Sequence, residues 1–147
     1  MASGPYRRPA DTRTVVGVTD PDPRPPVRVV VVDADDRTRE SLCGVLGIGT
    51  RCVVVGSAGD PVRALALVGE LQPDILVVDA NIDDPVAAQA FVVRVRSVSP
   101  STRIVGMSRT DVDGTDPRCP GVDAIIRKTF RPRELVDALL GAGSAAG

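Results

Sequence analysis

The sequence predicts an α/β protein of the doubly wound kind, a parallel sheet with helices on both faces. Three observations point there. From Val27 onward, short β-branched runs alternate with segments of helical periodicity. The first run, VRVVVVD at residues 27–33, is valine at five of its first six positions, the near-continuous apolar type expected of a strand covered on both faces. Two of the helix-like segments open with Asp-Pro, a natural start for a helix.

Each element has its own local reason. After the strand at 27–33, DDRTRESLCGVL (35–46) places Leu42, Val45 and Leu46 at helical spacing. RCVVVG (51–56) reads as a second strand. DPVRALALVGEL (60–71) reads as a helix with Asp60 as N-cap and Pro61 in the first turn. Its Ala64, Leu67, Val68 and Leu71 form one face, and Pro73 marks its end. PDILVVD (73–79) is a third strand and, like the first, stops at an aspartate. DPVAAQAFVVRVR (84–96) is the next helix, TRIVGMS (102–108) a fourth strand, GVDAIIRK (121–128) a fifth, and RPRELVDALL (131–140) the last helix. Residues 1–26 hold six of the 13 prolines and no sustained periodicity; VVGV at 15–18 is too short to change the reading of a disordered or extended arm. The tail, 141–147, should fray.

The totals exclude several functions. The chain has 147 residues, enough for one domain with a core, and 43% of them are hydrophobic. A net charge of −1 gives no electrostatic footprint for nucleic acid or an anionic membrane. No apolar run approaches spanning length, and the N-terminus lacks a signal-peptide core, so a cytoplasmic protein is the default expectation. Cys43, Cys52 and Cys119 show no CxxC spacing and are read as reduced, small hydrophobes. The absence of histidine excludes Ser-His-Asp and Cys-His devices. Among 18 basic residues only Lys128 is a lysine, which makes its position informative.

In a doubly wound sheet the site lies outside the carboxyl ends of the strands. Asp33, Asp79, Ser108 and Lys128 all fall at strand C-termini, so they should converge. Two close carboxylates resist ionising together and need a cation, either a divalent metal or an ammonium. Mg²⁺ takes oxygen ligands, Lys128 supplies a compact charge, and Ser108 supplies a hydroxyl. Such a set suits phosphoryl transfer through an aspartyl phosphate. A bland alternative exists for each residue: a strand-ending Asp is often a turn former or helix cap, and that reading is preferred for Asp35 and Asp36.

VVVDADDRTRESL, PDILVVDAN, RIVGMS and GVDAIIRKTFRPREL stand in the order and near the intervals of the receiver domain of two-component response regulators, which the chain resembles over residues 27–140. Lys128, Phe130, Pro132, Glu134 and Leu135 carry the most specific part. The resemblance implies a flavodoxin-like (βα)5 fold with strand order 2-1-3-4-5. It implies Asp79 as phosphoacceptor and Asp33, Asp79 and the backbone carbonyl of Asn81 as Mg²⁺ ligands. Ser108 and Lys128 would bind the phosphoryl oxygens and report to the face built by the fourth helix, fifth strand and last helix. The implied partners are a sensor histidine kinase or phosphotransfer protein and a downstream protein target, with a homodimer through the usual face open. No DNA-binding segment is read after residue 140, so direct nucleic-acid contact is not expected, nor is a membrane.

The departures point to an atypical receiver. The second acid of the family's pair falls at Ala34, and Asp35 could replace it only by re-registering the loop. Arg109 stands beside Ser108 where a small residue is usual, and could crowd or mimic the cation site. Asp83 replaces a usual proline and Ala87 a usual glycine. Thr129 replaces the proline after Lys128; a cis bond there would cost about 2.5–4 kcal/mol, so a trans bond or a strained loop is expected. Gly114, Pro117 and Pro120 degrade the fourth helix within 109–121, and Ile125 occupies a position often aromatic. These changes leave a phosphorylation-independent interaction module as an alternative. VVVVDADDRT also resembles the DxD opening of haloacid-dehalogenase-type phosphatases, with Asp33 as nucleophile and Asp35 as acid/base. That reading lacks the acidic pair required after the lysine, since Glu134 and Asp137 both lie in the last helix.

Overall fold

The structure, a computed structural model, describes residues 24–80, 84–109 and 121–144. Along the chain run β1 (Val27–Val32), α1 (Asp36–Leu46), β2 (Cys52–Ala58), α2 (Pro61–Leu71) and β3 (Ile75–Asp79). Then follow α3 (Pro85–Val98), β4 (Arg103–Ser108), β5 (Ala124–Arg127) and α4 (Pro132–Ser144). The five strands form one parallel sheet in the order β2-β1-β3-β4-β5, as the resemblance implies. The expected degraded fourth helix and most of the N-terminal arm lie outside the described residues.

The unbroken valine run of β1 is buried on both sides, with Val29, Val30 and Val31 at 0% exposure. Successive residues of a strand point to opposite faces, so the run feeds two cores. Val29 and Val31 pack with Leu42, Leu46, Leu135 and Leu139 from α1 and α4. Val30 packs with Val68, Val92 and Val95 from α2 and α3. β2 gains an extra residue at Val55, since Val29 pairs with Val54 and Val30 with Gly56. That bulge carries the strand to Ala58, beyond its expected end at Gly56.

Helix starts follow the expected chemistry. The carboxylates of Asp60 and Asp84 accept from the Arg63 N–H and from the Val86 and Ala87 N–H groups, each with proline in the first turn. Two ends differ from expectation. β5 is shorter than 121–128, and just before it the Asp123 carboxylate accepts the Ile104 N–H at 2.8 Å. The tail expected to fray from Gly141 is helical to Ser144. A glycine costs only about 1 kcal/mol in a helix, so Gly141 and Gly143 weaken α4 without ending it.

Below the sheet, a polar knot ties α2, α3 and β4. Gln72 ends α2 in the left-handed region (φ 48°), and its amide donates to Gly69 O and Val98 O, both at 2.9 Å. Ser99 Oγ donates to Gln72 Oε1 at 3.0 Å and lies 2.6 Å from Thr102 Oγ1, which donates to Pro73 O at 2.7 Å. Among the described residues, no helix is long and apolar enough to cross a membrane. Thr102→Val should leave this buried carbonyl and hydroxyl short of a partner and cost about 1–3 kcal/mol, measured by urea denaturation.

Candidate functional site

Parallel strands leave their C-terminal ends on one edge of the sheet, and four of them deliver polar residues there. Asp33 follows β1, Asp79 ends β3, Ser108 ends β4 and Lys128 follows β5. The expected convergence is present for Asp33, Asp79 and Lys128: Lys128 Nζ lies 3.1 Å from Asp33 Oδ2 and 3.8 Å from Asp79 Oδ1. The Lys128 and Asp33 side chains are 4% and 3% exposed, while Asp79 is 27% exposed. An ammonium and a carboxylate hidden this deeply each need the other to offset desolvation. Ser108 is fully buried, and its carbonyl accepts the Lys128 N–H at 2.6 Å, tying the two residues by backbone.

The β1–α1 loop explains what Ala34 does to the site. Asp33 Oδ1 accepts the Asp35 N–H at 2.9 Å, a turn closed over the exposed Ala34. Asp35 then turns to its own helix: its Oδ1 accepts the Thr38 N–H at 2.9 Å as the N-cap of α1. That bond chiefly holds the Asp35 carboxyl below its usual range, with Arg109 a minor further influence. Asp35 is therefore committed to capping, and the loop has not re-registered to replace the acid absent at Ala34. Arg109 is exposed. Asn81 lies outside the described residues. No cis peptide bond occurs among the described residues, so the Lys128–Thr129 bond is trans.

One residue was missed in the sequence. Arg39 reaches back over this loop, donating to Asp33 O at 2.8 Å and to Asp36 Oδ1 at 2.6 Å. It packs so closely on Gly59 that a Cβ there would lie 2.8 Å from its Nη1. The i,i+3 spacing from Asp36 was a legible signal for the ion pair, but nothing in sequence foretold the bond to Asp33.

Asp79 faces a cleft of about 310 Å³ walled by Val32, Ala34, Val78 and Phe91 and also lined by the capping Asp60 and Asp84. The most accessible carboxylate of the site thus has room beside it for an incoming group. Among the described residues, no cluster of three or more acidic or cysteine side chains is placed to hold a metal ion. The Asp33–Asp79 pair alone supplies oxygen donors, which suits Mg²⁺, an ion often held by one or two carboxylates with water and phosphate oxygens. Cys43 and Cys52 are free, and burial raises both thiols, in keeping with small hydrophobes.

The buried pair gives a direct test. Lys128→Met should strand Asp33 and destabilise the fold by about 3–5 kcal/mol, and adding Asp33→Asn should recover much of that loss, as read by chemical denaturation.

Comparison with known proteins bears on the fold and the family. Residues 29–140 match the family model described as the response regulator receiver domain. The chain is 41% identical over 54 residues to protein-glutamate methylesterase/protein-glutamine glutaminase 5 of Anaeromyxobacter dehalogenans, covering 37% of this chain and 15% of that protein. It is 28% identical over 119 residues to the transcriptional regulatory protein YxjL of Bacillus subtilis, covering 79% of this chain and 54% of that one. The chain thus spans about half or less of these relatives' lengths. The signal receiver domain of NarL from Mycobacterium tuberculosis superposes with a TM-score of 0.63 at 27% identity, covering 80% of this chain and 99% of that one. With the fold and the family match in agreement, the chain belongs to the response regulator receiver domain family.

Proposed function

We propose that this receiver domain accepts a phosphoryl group on Asp79 from a phosphohistidine of a sensor kinase or phosphotransfer protein. The observation that carries the reading is Lys128 Nζ set between Asp33 Oδ2 and Asp79 Oδ1. An Asp79 carboxylate oxygen attacks phosphorus, the O–P bond forms, and the P–N bond breaks with its electrons returning to the imidazole. Charge grows on the phosphoryl oxygens during transfer, and a fixed ammonium beside them stabilises it without reorganisation. The Ser108 hydroxyl is a second group to bind those oxygens. Asp33, Asp79 and the Asn81 carbonyl would hold Mg²⁺, whose chemistry is to neutralise charge on the transferring group. Output follows through contact with a protein target.

Ala34 favours a second reading, a phosphorylation-independent interaction module, because it removes an acid and Asp35 does not replace it. Intact-protein mass after incubation with acetyl phosphate and Mg²⁺ separates the two. The first reading expects one phosphoryl adduct on the wild type and none on Asp79→Asn. A folded wild type with no adduct sinks it in favour of the second.

Ala34→Asp restores a third carboxylate beside the site. On the first reading it should speed adduct formation and increase its Mg²⁺ dependence, followed by mass against time at graded Mg²⁺.

A further inference from the structure

Arg39 stands behind the cleft beside Asp79 and touches two of the loops that wall it. Asp33 and Ala34 of the β1–α1 loop, and Gly59 and Asp60 of the β2–α2 loop, line that cleft. Arg39 Nη1 donates to Asp33 O at 2.8 Å, and a Cβ on Gly59 would stand 2.8 Å from the same nitrogen. The guanidinium therefore sits between the loops, in space that Gly59 leaves open. Nη2 meets Asp36 Oδ1 at 2.6 Å.

Exposure separates the two bonds. The Arg39 side chain is 19% exposed, whereas Asp36 is 81% exposed. An ion pair with so open a partner contributes little to stability. The bond to Asp33 O is partly buried, and it holds a backbone with few other supports. The Asp33 N–H reaches Ala58 O at 3.2 Å, a long bond, and the next residue, Ala34, has no polar side chain to anchor the loop. Asp33 in turn holds Lys128, whose Nζ lies 3.1 Å from Asp33 Oδ2 and 3.8 Å from Asp79 Oδ1. An aspartate side chain is short, so a shift of the Asp33 backbone carries its carboxylate along.

We propose that Arg39 is a positioning residue of this site. By holding the Asp33 carbonyl and filling the space over Gly59, it keeps the Asp33 carboxylate, and through it the Lys128 ammonium, in place beside Asp79. The fork of arginine is needed, because Asp33 O and Asp36 Oδ1 are met by different nitrogens. The placement of Lys128 stands by itself; its effect on phosphoryl transfer rests on the reading of Asp79 as acceptor.

Lys128 is the chain's only lysine, so protein carrying lysine isotope-labelled at Cε gives a single side-chain NMR signal from the site. In the wild type it should be displaced from the signal of free lysine. In Arg39→Gln it should move toward the free position, with an unchanged circular dichroism spectrum. A merely stabilising role would lower the urea midpoint and leave that signal where it is. Adduct growth from acetyl phosphate and Mg²⁺ should slow roughly 10- to 100-fold in Arg39→Gln, and Arg39→Lys should recover part of the rate. Asp36→Asn removes the exposed ion pair alone and should keep the signal and the rate near wild type. A Lys128 signal unchanged in Arg39→Gln overturns the proposal. So does an Arg39→Gln variant that forms the adduct at the wild-type rate, or an Asp36→Asn variant that matches it in both readouts. Should the wild type form no adduct, the acceptor reading fails and the Lys128 signal alone decides the positioning. Should Arg39→Gln fail to fold, Gly59→Ala takes its place, since a Cβ there displaces the guanidinium while Arg39 remains. A shifted Lys128 signal then supports the proposal, and an unchanged one overturns it.

Discussion

A parallel sheet wrapped on both faces has no polar side, and that constraint organises this protein. Three consecutive valines of β1 are fully shielded, shared between a core with α1 and α4 and another with α2 and α3. Backbone groups within the sheet satisfy one another, so polar side chains can enter only where strands stop. They do so at both ends. Below the sheet, Gln72, Ser99 and Thr102 bond one another and nearby carbonyls, closing a knot with little left over for chemistry. Above it, Lys128 stands between Asp33 and Asp79, and the more exposed carboxylate is Asp79.

The upper cluster is governed by one ammonium. Asp33 and Lys128 are buried almost equally, and their ion pair offsets the desolvation of both. Lys128 is positioned from below by its N–H bond to the Ser108 carbonyl and from the side by Asp33. Asp33 is in turn held by the Asp35 N–H, while Arg39 clamps its carbonyl. Each partner is thus fixed through backbone as well as side chain, so the charges of the site are held in place without reorganisation. Ala34 adds no charge to the pocket, and the turn over it is closed by Asp33 Oδ1.

The same helix that borders the site carries exposed valines, Val86 and Val93. Ala87 and Phe91 line both the cleft beside Asp79 and an outer groove between α2 and α3. The cleft beside Asp79 and the outer groove therefore lie on adjacent sides of one element, α3.

Much of this was legible before any coordinates. The valine run Val29–Val32 of β1 specified a strand buried on both faces, and the Asp-Pro openings specified where α2 and α3 begin, because both signals act within a few residues. Strand C-termini also located Asp33, Asp79, Ser108 and Lys128 on one edge, since parallel topology permits no other placement. What tertiary structure decided lies in contacts between distant residues. Periodicity could not see the Asp123 carboxylate accepting the Ile104 N–H just before β5. It could not see Arg39 bonding the Asp33 carbonyl and filling the space above Gly59. The role of Asp35 depended on a competition between a helix cap and a metal site within one loop, and only the folded geometry resolves it toward the cap. Residue types and spacing determined which groups reach the site; which bonds they make there was set by neighbours brought from far along the chain.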